Sequence, residues 1–227
     1  MARRIVKESF YILCNRFAFF IPPGIIAAIL AVASSVFPQS EVPVYRFIFN
    51  FLICLFAEVP CIAVYYGKGP VATIRDRLPS LLLLVTLRCL FLLCAGFVSD
   101  YISNVMGEDA GKLVFTLVLL VIRTIIDLFF YFTVIEIIKN DSRTGAATTA
   151  SLSILSSNKA WNIGLYVRII LFEFAVLLVF VLVIAILIGV LSALAPISLW
   201  LIFIPILSSL FAVYLPIRIC HYYEAIS

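Results

Sequence analysis

Apolar residues in this chain fall into long runs separated by polar segments, and six of these runs reach the length of a membrane-spanning helix. About 20 mostly apolar residues are needed to cross the hydrocarbon core of a bilayer. Every backbone amide must be paired within the segment in hydrocarbon, so each run is predicted to be helical. The predicted spans are Phe17–Phe37, Phe47–Tyr66, Ser80–Val98, Leu113–Ile138, Ile163–Leu191 and Leu199–Ile219.

Helix-breaking residues lie at the borders of these runs. Pro38 and Pro43 follow the first span, and the Gly67–Pro70 segment follows the second. Ala195 and Pro196 separate the fifth from the sixth. Glycine and proline are the strongest local signals for turns, so their positions support the span borders independently of hydropathy.

The composition indicates one integral membrane domain over residues 1–227. The residues are 65% hydrophobic and 12% charged, whereas soluble domains are roughly half apolar and about a quarter charged. The segments between the apolar runs are too short for a sizeable soluble domain. The net charge of +4 is small, so no nucleic-acid partner is predicted.

The basic residues predict which side of the membrane each loop faces. The N-terminal tail and the loops after spans two and four, together with Arg218 at the C-terminal end of span six, hold 11 lysines and arginines. The opposite loops hold two, Arg46 and Lys112. Basic residues are enriched in cytoplasmic loops, so both termini are predicted to be cytoplasmic.

The start of the chain has an alternative interpretation as a cleavable signal. Arg3, Arg4 and Lys7 precede an apolar stretch that ends near Ala31–Ala33, which is the order of a secretory signal. We favour a retained span because the Pro22–Pro23 pair interrupts the stretch. Cleavage would leave the orientation of the other spans unchanged.

Short interfacial helices are predicted outside the spans. The Thr144–Lys159 segment places Leu152 and Leu155 on one side of such a helix, and Val71–Leu78 would form a shorter one. The Ile5–Phe17 stretch also mixes apolar with charged residues. These segments either form a cytoplasmic collar that binds lipid headgroups or a partner, or they only connect the spans.

Ionisable side chains interrupt the apolar runs, and six of them define a candidate polar interior or ligand site. Such charges are costly in hydrocarbon without a partner. Arg123 and Asp127 are four residues apart on one helix face, and Glu58 is expected to meet Arg88. Forked guanidinium donors match phosphate oxygens, so the site either holds an anionic headgroup or a proton-coupled path, or consists of structural ion pairs. The residues are Glu58, Arg88, Arg123, Asp127, Arg168 and Glu173.

Residue types that usually carry catalysis or bind metal are scarce. His221 is the only histidine, and no Cys-x-x-Cys pair occurs, so no metal site of paired histidines is possible. The six cysteines are interpreted as small apolar packing residues. We therefore predict a protein that is not an enzyme, with no catalytic residue, no metal ligand and no cofactor.

Several short segments next to the spans share a recognisable pattern. They are Glu8–Tyr11, Asn15–Phe17, Gly67–Leu78, Asn140–Asp141, Ala150–Leu152 and Ser156–Trp161. These segments resemble the YciC-like family of bacterial inner-membrane proteins and the membrane region of some glycerophosphodiester phosphodiesterases. The resemblance implies a six-helix, multi-pass protein of the bacterial inner membrane, linked to envelope or lipid homeostasis. It assigns no catalytic residue.

Three functions remain open from the sequence. The first is a non-enzymatic component of envelope or lipid homeostasis that handles membrane phospholipids or binds a membrane-protein partner. The alternatives are a small-solute or ion transporter and an accessory subunit of a larger membrane transporter. The oligomeric state is not predicted.

Overall fold

The structure of the protein is a computed structural model that describes residues 1–36, 43–105, 110–157, 164–171 and 200–227. All regular structure in these ranges is helical, which confirms the predicted all-α class. The elements are α1 (Ala2–Asn15), α2 (Phe17–Val36), α3 (Pro43–Ile53), a π-helical turn (Cys54–Glu58), α4 (Val59–Tyr65), α5 (Pro70–Val105), α6 (Ala110–Lys139), α7 (Thr144–Ser157), α8 (residues 164–171) and α9 (Trp200–Ile226).

Two helical segments in the described residues are long and apolar enough to cross a membrane, namely Phe47–Tyr65 and Pro70–Val98. A third is present if α1 and the start of α2, which meet at an angle of 94°, are taken as one broken span. The predicted fourth span lies within α6, and the predicted sixth lies within α9 except for Leu199. Leu199 and most of the fifth span lie outside the described residues. Six spans and their orientation therefore stay predictions.

Helix α5 differs from its prediction because it runs without a break through the segment that was expected to form a separate short helix. Val71–Leu78 and the third span are one helix, although Pro79 lies inside it. A proline cannot bond the carbonyl four residues earlier, here that of Arg75. Pro79 and Arg75 are both exposed, so this carbonyl is accessible to water or lipid headgroups and the helix continues.

Helix α9 packs against several elements of the bundle. It contacts α1, α2, α4 and α6, while α5 packs along α6. Aromatic residues fill the core between α6 and α9: Phe132 contacts Tyr223 with ring centroids 5.3 Å apart, and both rings are buried. Aromatic rings bury large apolar areas, so this end of the bundle is held by side-chain packing.

Helix α7 packs on α6 through small side chains. Ala147 and Ser151 are fully buried, and the Ser151 hydroxyl lies 3.2 Å from that of Thr133 on α6. Leu152 is 55% exposed. The sequence predicted a helix through Thr144 to Lys159, and the structure has one over Thr144–Ser157, while residues 158–159 lie outside the described residues. Its small residues face inward, since small side chains let two helices approach closely.

The loop after α4 and the start of α5 are joined to the loop after α6 by ion pairs. Lys68 Nζ and Arg77 Nη2 both donate to Asp141 Oδ1 at 3.0 Å. These donors lower the pKa of the Asp141 carboxyl below its usual value. Asp141 has a positive φ of 52°, a conformation that aspartate adopts more readily than most residues. Both loops thus lie at the same end of the bundle, which is the arrangement that the predicted topology requires.

Candidate functional site

The Arg88 guanidinium on α5 is the centre of a buried ion cluster. Its Nη1 donates to Glu58 Oε2 at 2.6 Å, and its Nε donates to Asp127 Oδ1 at 2.8 Å. Nη1 also contacts the Cys54 sulfur. Arg88 and Glu58 are each 7% exposed. The expected Glu58–Arg88 pair is therefore present, and Asp127 joins it.

A π-helical turn positions the partners of Arg88. The Val59 N–H bonds the Cys54 carbonyl five residues back, so this turn holds one residue more than an α-helical turn. Pro60 follows directly, and a proline ring crowds the carbonyl four residues earlier. The wider turn relieves this contact. Cys54 and Glu58, the first and last residues of the turn, both contact Arg88.

Two aromatic rings complete the surroundings of Arg88. Its guanidinium carbon lies 4.7 Å from the Phe130 ring centroid and 5.0 Å from that of Tyr131. Cations are attracted to the faces of aromatic rings, more strongly where water is excluded. The Tyr131 hydroxyl is buried and has no hydrogen-bond partner among the described residues.

The cluster contains a second arginine with a different environment. Arg123 Nε lies 3.9 Å from Asp127 Oδ2, and its side chain is 61% exposed in the described structure. Two guanidinium groups thus face two carboxylates, Glu58 and Asp127. Arg88 makes the short, buried contacts, while Arg123 contributes a longer and more exposed one.

The other predicted site residues do not join this cluster in the described part of the chain. Arg168 is exposed on α8 and forms no ion pair there. Glu173 lies outside the described residues. Arg88, Arg123 and Arg168 therefore do not surround one phosphate site in the described structure. Nε and Nη1 of Arg88 instead donate to the carboxylates of Asp127 and Glu58.

Sequence reasoning missed a second buried carboxylate on α6. Glu136 is 6% exposed and accepts hydrogen bonds from the Tyr223 hydroxyl and from Asn140 Nδ2, the latter at 2.7 Å. Nearby, Lys139 Nζ lies 2.9 Å from Glu224 Oε1. The signal in the sequence was the position of Glu136 inside the predicted fourth span, two residues before its end at Ile138.

Arg218 on α9 was also missed as an interior residue, because the sequence places it at the end of the sixth span. It is 4% exposed, and its Nη2 donates to the Tyr166 hydroxyl at 3.1 Å. The guanidinium carbon lies 5.2 Å from the Tyr166 ring centroid. This contact attaches α8 to α9.

An open groove runs beside the ion cluster, between α5, α6 and α7. Its volume is about 540 Å³. Leucine, isoleucine and phenylalanine side chains dominate its walls, and Arg88 is the only charged residue among the described residues that line it. Four of the lining side chains are between 44% and 55% exposed: Leu87, Phe91, Ile125 and Leu152. The groove therefore offers an apolar surface that is open to its surroundings.

The residue types that usually bind metal ions do not cluster in the described ranges. No group of three histidine, cysteine, aspartate or glutamate side chains there is arranged to hold a metal ion. The predictions of no metal and no cofactor remain predictions.

His221, the single histidine of the sequence, lies beyond the predicted sixth span. Its Nδ1 is 3.2 Å from the Tyr65 hydroxyl, and burial lowers the pKa of its imidazole. The unfolded chain then binds a proton more readily than the folded protein does. This contribution to stability is complete above the ordinary pKa of 6.5 and is lost as the pH falls from that value through the lower pKa of the folded protein.

We expect stability to decrease less on acidification in the His221→Phe variant, which keeps an aromatic ring in this position, than in the wild type. The measurement is the apparent melting temperature in detergent, from weakly alkaline to weakly acidic pH. A decrease of the same size in the variant would show that other groups cause it.

No family model matches the chain, and no curated protein or solved structure is significantly similar to it. The fold and the span-length apolar helices define its class, which is that of all-α proteins with helices long and apolar enough to cross a membrane. The resemblance to YciC-like proteins stays a prediction from the short segments that carry it.

Proposed function

We propose that this is a non-enzymatic, multi-pass protein of the bacterial cytoplasmic membrane that takes part in envelope or lipid homeostasis. In this proposal it spans the bilayer six times with both termini in the cytoplasm, and the groove between α5, α6 and α7 binds one acyl chain of a membrane phospholipid. The observation that carries the proposal is the open apolar groove of about 540 Å³ beside α5, a helix long and apolar enough to cross a membrane.

The chemistry of the groove supports an acyl chain over a phosphate headgroup. Apolar side chains form almost the whole wall, and Arg88 donates its Nε and Nη1 hydrogen bonds to Asp127 and Glu58. An anion placed there would compete with two carboxylates that already neutralise the guanidinium. A hydrocarbon chain needs no polar partner, and the bilayer supplies such chains at high concentration.

The groove walls differ in polarity, which suits an amphipathic ligand. The lining residues of α5 include the apolar Leu87 and Phe91, whereas α7 contributes Ser156 and α9 contributes Tyr222. Helix α7 belongs to the predicted interfacial collar. We infer that the chain lies along α5 and that the headgroup remains outside the groove, on the side of α7.

Two leucines of α5 give a matched test. Leu87 and Leu90 are both 44% exposed, but only Leu87 lines the groove among the described residues. We expect Leu87→Trp to fill the groove and to lower crosslinking of a photoactivatable phospholipid to α7 at least several-fold. Leu90→Trp is expected to leave it near the wild-type value.

The readout is mass spectrometry of crosslinked peptides after illumination of protein reconstituted in bilayers. Equal crosslinking in the two variants would contradict an acyl-chain site in this groove. Recovery of a single membrane-protein partner on the same residues, in place of lipid, would favour the alternative that this surface binds a partner. Gel filtration confirms that both variants are folded.

A further inference from the structure

We propose that the outward face of helix α1 is a second lipid site, which recognises the anionic headgroups of the bilayer. The proposal is independent of the groove, because α1 contacts α9 and α2 and contributes no residue to the groove walls. It rests on the direction of α1, on the two faces of this helix, and on the charge of the outer face.

The bend between α1 and α2 sets the direction of α1. The two helices meet at 94°, with Arg16 between them. Arg16 is held in place at this corner, since its Nη1 donates to the Tyr65 carbonyl at 3.2 Å. If α2 runs along the membrane normal, α1 must lie nearly parallel to the membrane surface.

The inner face of α1 already has a partner within the protein. Ile5, Val6, Ser9 and Leu13 are buried, and α1 packs against α9. The spacing of these residues corresponds to one face of a helix. The outer face is therefore the one available to the surroundings.

Basic residues occupy the N-terminal half of the outer face. Arg4 and Glu8 pair with each other at 2.7 Å. Arg3 and Lys7 are exposed and form no ion pair within the described part of the chain. Together with Tyr11 these four side chains line an open hollow of about 510 Å³, so the hollow carries an excess of positive charge.

Large aromatic side chains continue this surface toward α2. Tyr11 is 67% exposed, Phe10 is 47% exposed, and Phe17 and Phe19 at the start of α2 are 55% and 67% exposed. Exposed rings next to basic residues are typical of helices that lie in the membrane interface. A phospholipid can contact both parts of this surface. Its phosphate would bind Arg3 and Lys7, and the part of the acyl chain next to the headgroup would pack on the aromatic rings.

Removal of the two uncompensated charges tests the proposal. The full chain is purified in detergent with equal amounts of phosphatidylglycerol and phosphatidylcholine, and the lipids retained on it are counted by native mass spectrometry. We expect the preference for phosphatidylglycerol to fall about 25-fold in the double variant Arg3→Gln/Lys7→Gln, since each basic residue near an anionic surface contributes about fivefold.

The control variant Arg75→Gln/Arg143→Gln removes the same net charge from exposed residues elsewhere, and it is expected to keep the preference. An unchanged preference in Arg3→Gln/Lys7→Gln would overturn the proposal. An equal loss in both double variants would also overturn it, because the effect would then come from net charge alone. The proposal is supported if only Arg3→Gln/Lys7→Gln loses the preference and if added salt lowers the preference of the wild type.

Discussion

Replacement of Arg88 by methionine is expected to lower the free energy of unfolding by about 3–5 kcal/mol, the largest effect of any single change considered for this protein. Methionine fills much of the same space, but it leaves Glu58 and Asp127 without the guanidinium that both contact at less than 3 Å. Glu58 is 7% exposed, so water cannot replace the lost partner. The measurement is a denaturing titration in mixed detergent micelles, followed by circular dichroism.

Arg123 supplies the matched control for this experiment. It faces the same carboxylate, Asp127, but at 3.9 Å and with a side chain that is 61% exposed. Exposed pairs contribute about 0–1 kcal/mol, so Arg123→Met should have a small effect. The triple variant Arg88→Met/Glu58→Gln/Asp127→Asn should regain most of the loss. Equal stability of the two methionine variants would contradict a structural role for the buried contacts.

Ser151→Leu is expected to have the second largest effect, a loss of about 1–3 kcal/mol, because it forces a larger side chain into a filled contact. Ser151 is fully buried between α7 and α6, and its hydroxyl lies 3.2 Å from that of Thr133. Leucine there must push α7 outward, and it removes the contact between the Ser151 and Thr133 hydroxyls. Helix α7 also forms part of the groove, so the same variant should retain less phospholipid.

The substitution Ser153→Leu makes the same chemical change two residues away, on the exposed side of α7. It is expected to shift stability by no more than about 0.5 kcal/mol. Thermal unfolding of the two purified variants in one detergent compares them directly. A similar melting temperature for both would mean that α7 is not held by the face that contains Ser151.

The sequence predicted the helices well where length and breakers decide them. The Gly67–Pro70 segment ends the second apolar run, and the structure has its loop there, with Gly67 at a φ of 70°. A helix follows α6 as predicted, and it covers Thr144–Ser157. Pairing of Glu58 with Arg88 was also predictable, since buried charges need opposite charges and few were available.

Which face of each helix is inside was much harder to predict. In a soluble protein polar residues mark the outer face, but a face in contact with lipid is as apolar as the core. Leu152 therefore gave the same signal as a core residue, although it is 55% exposed, while Ser151 is fully buried. Glu136 was missed for a related reason, because its place near the span border resembled that of a residue in contact with water.

The π-helical turn at Cys54–Glu58 explains a further difficulty. One additional residue in a helix rotates everything before it by about 100° relative to everything after it. A helical wheel drawn for a regular helix over residues 47–65 would thus give a wrong angle, around the helix axis, between Phe47 and Ile62. Compared with a relative that has a regular helix here, this residue would be a one-position insertion. Its deletion would rotate the side chains before the turn by about 100° relative to those after it.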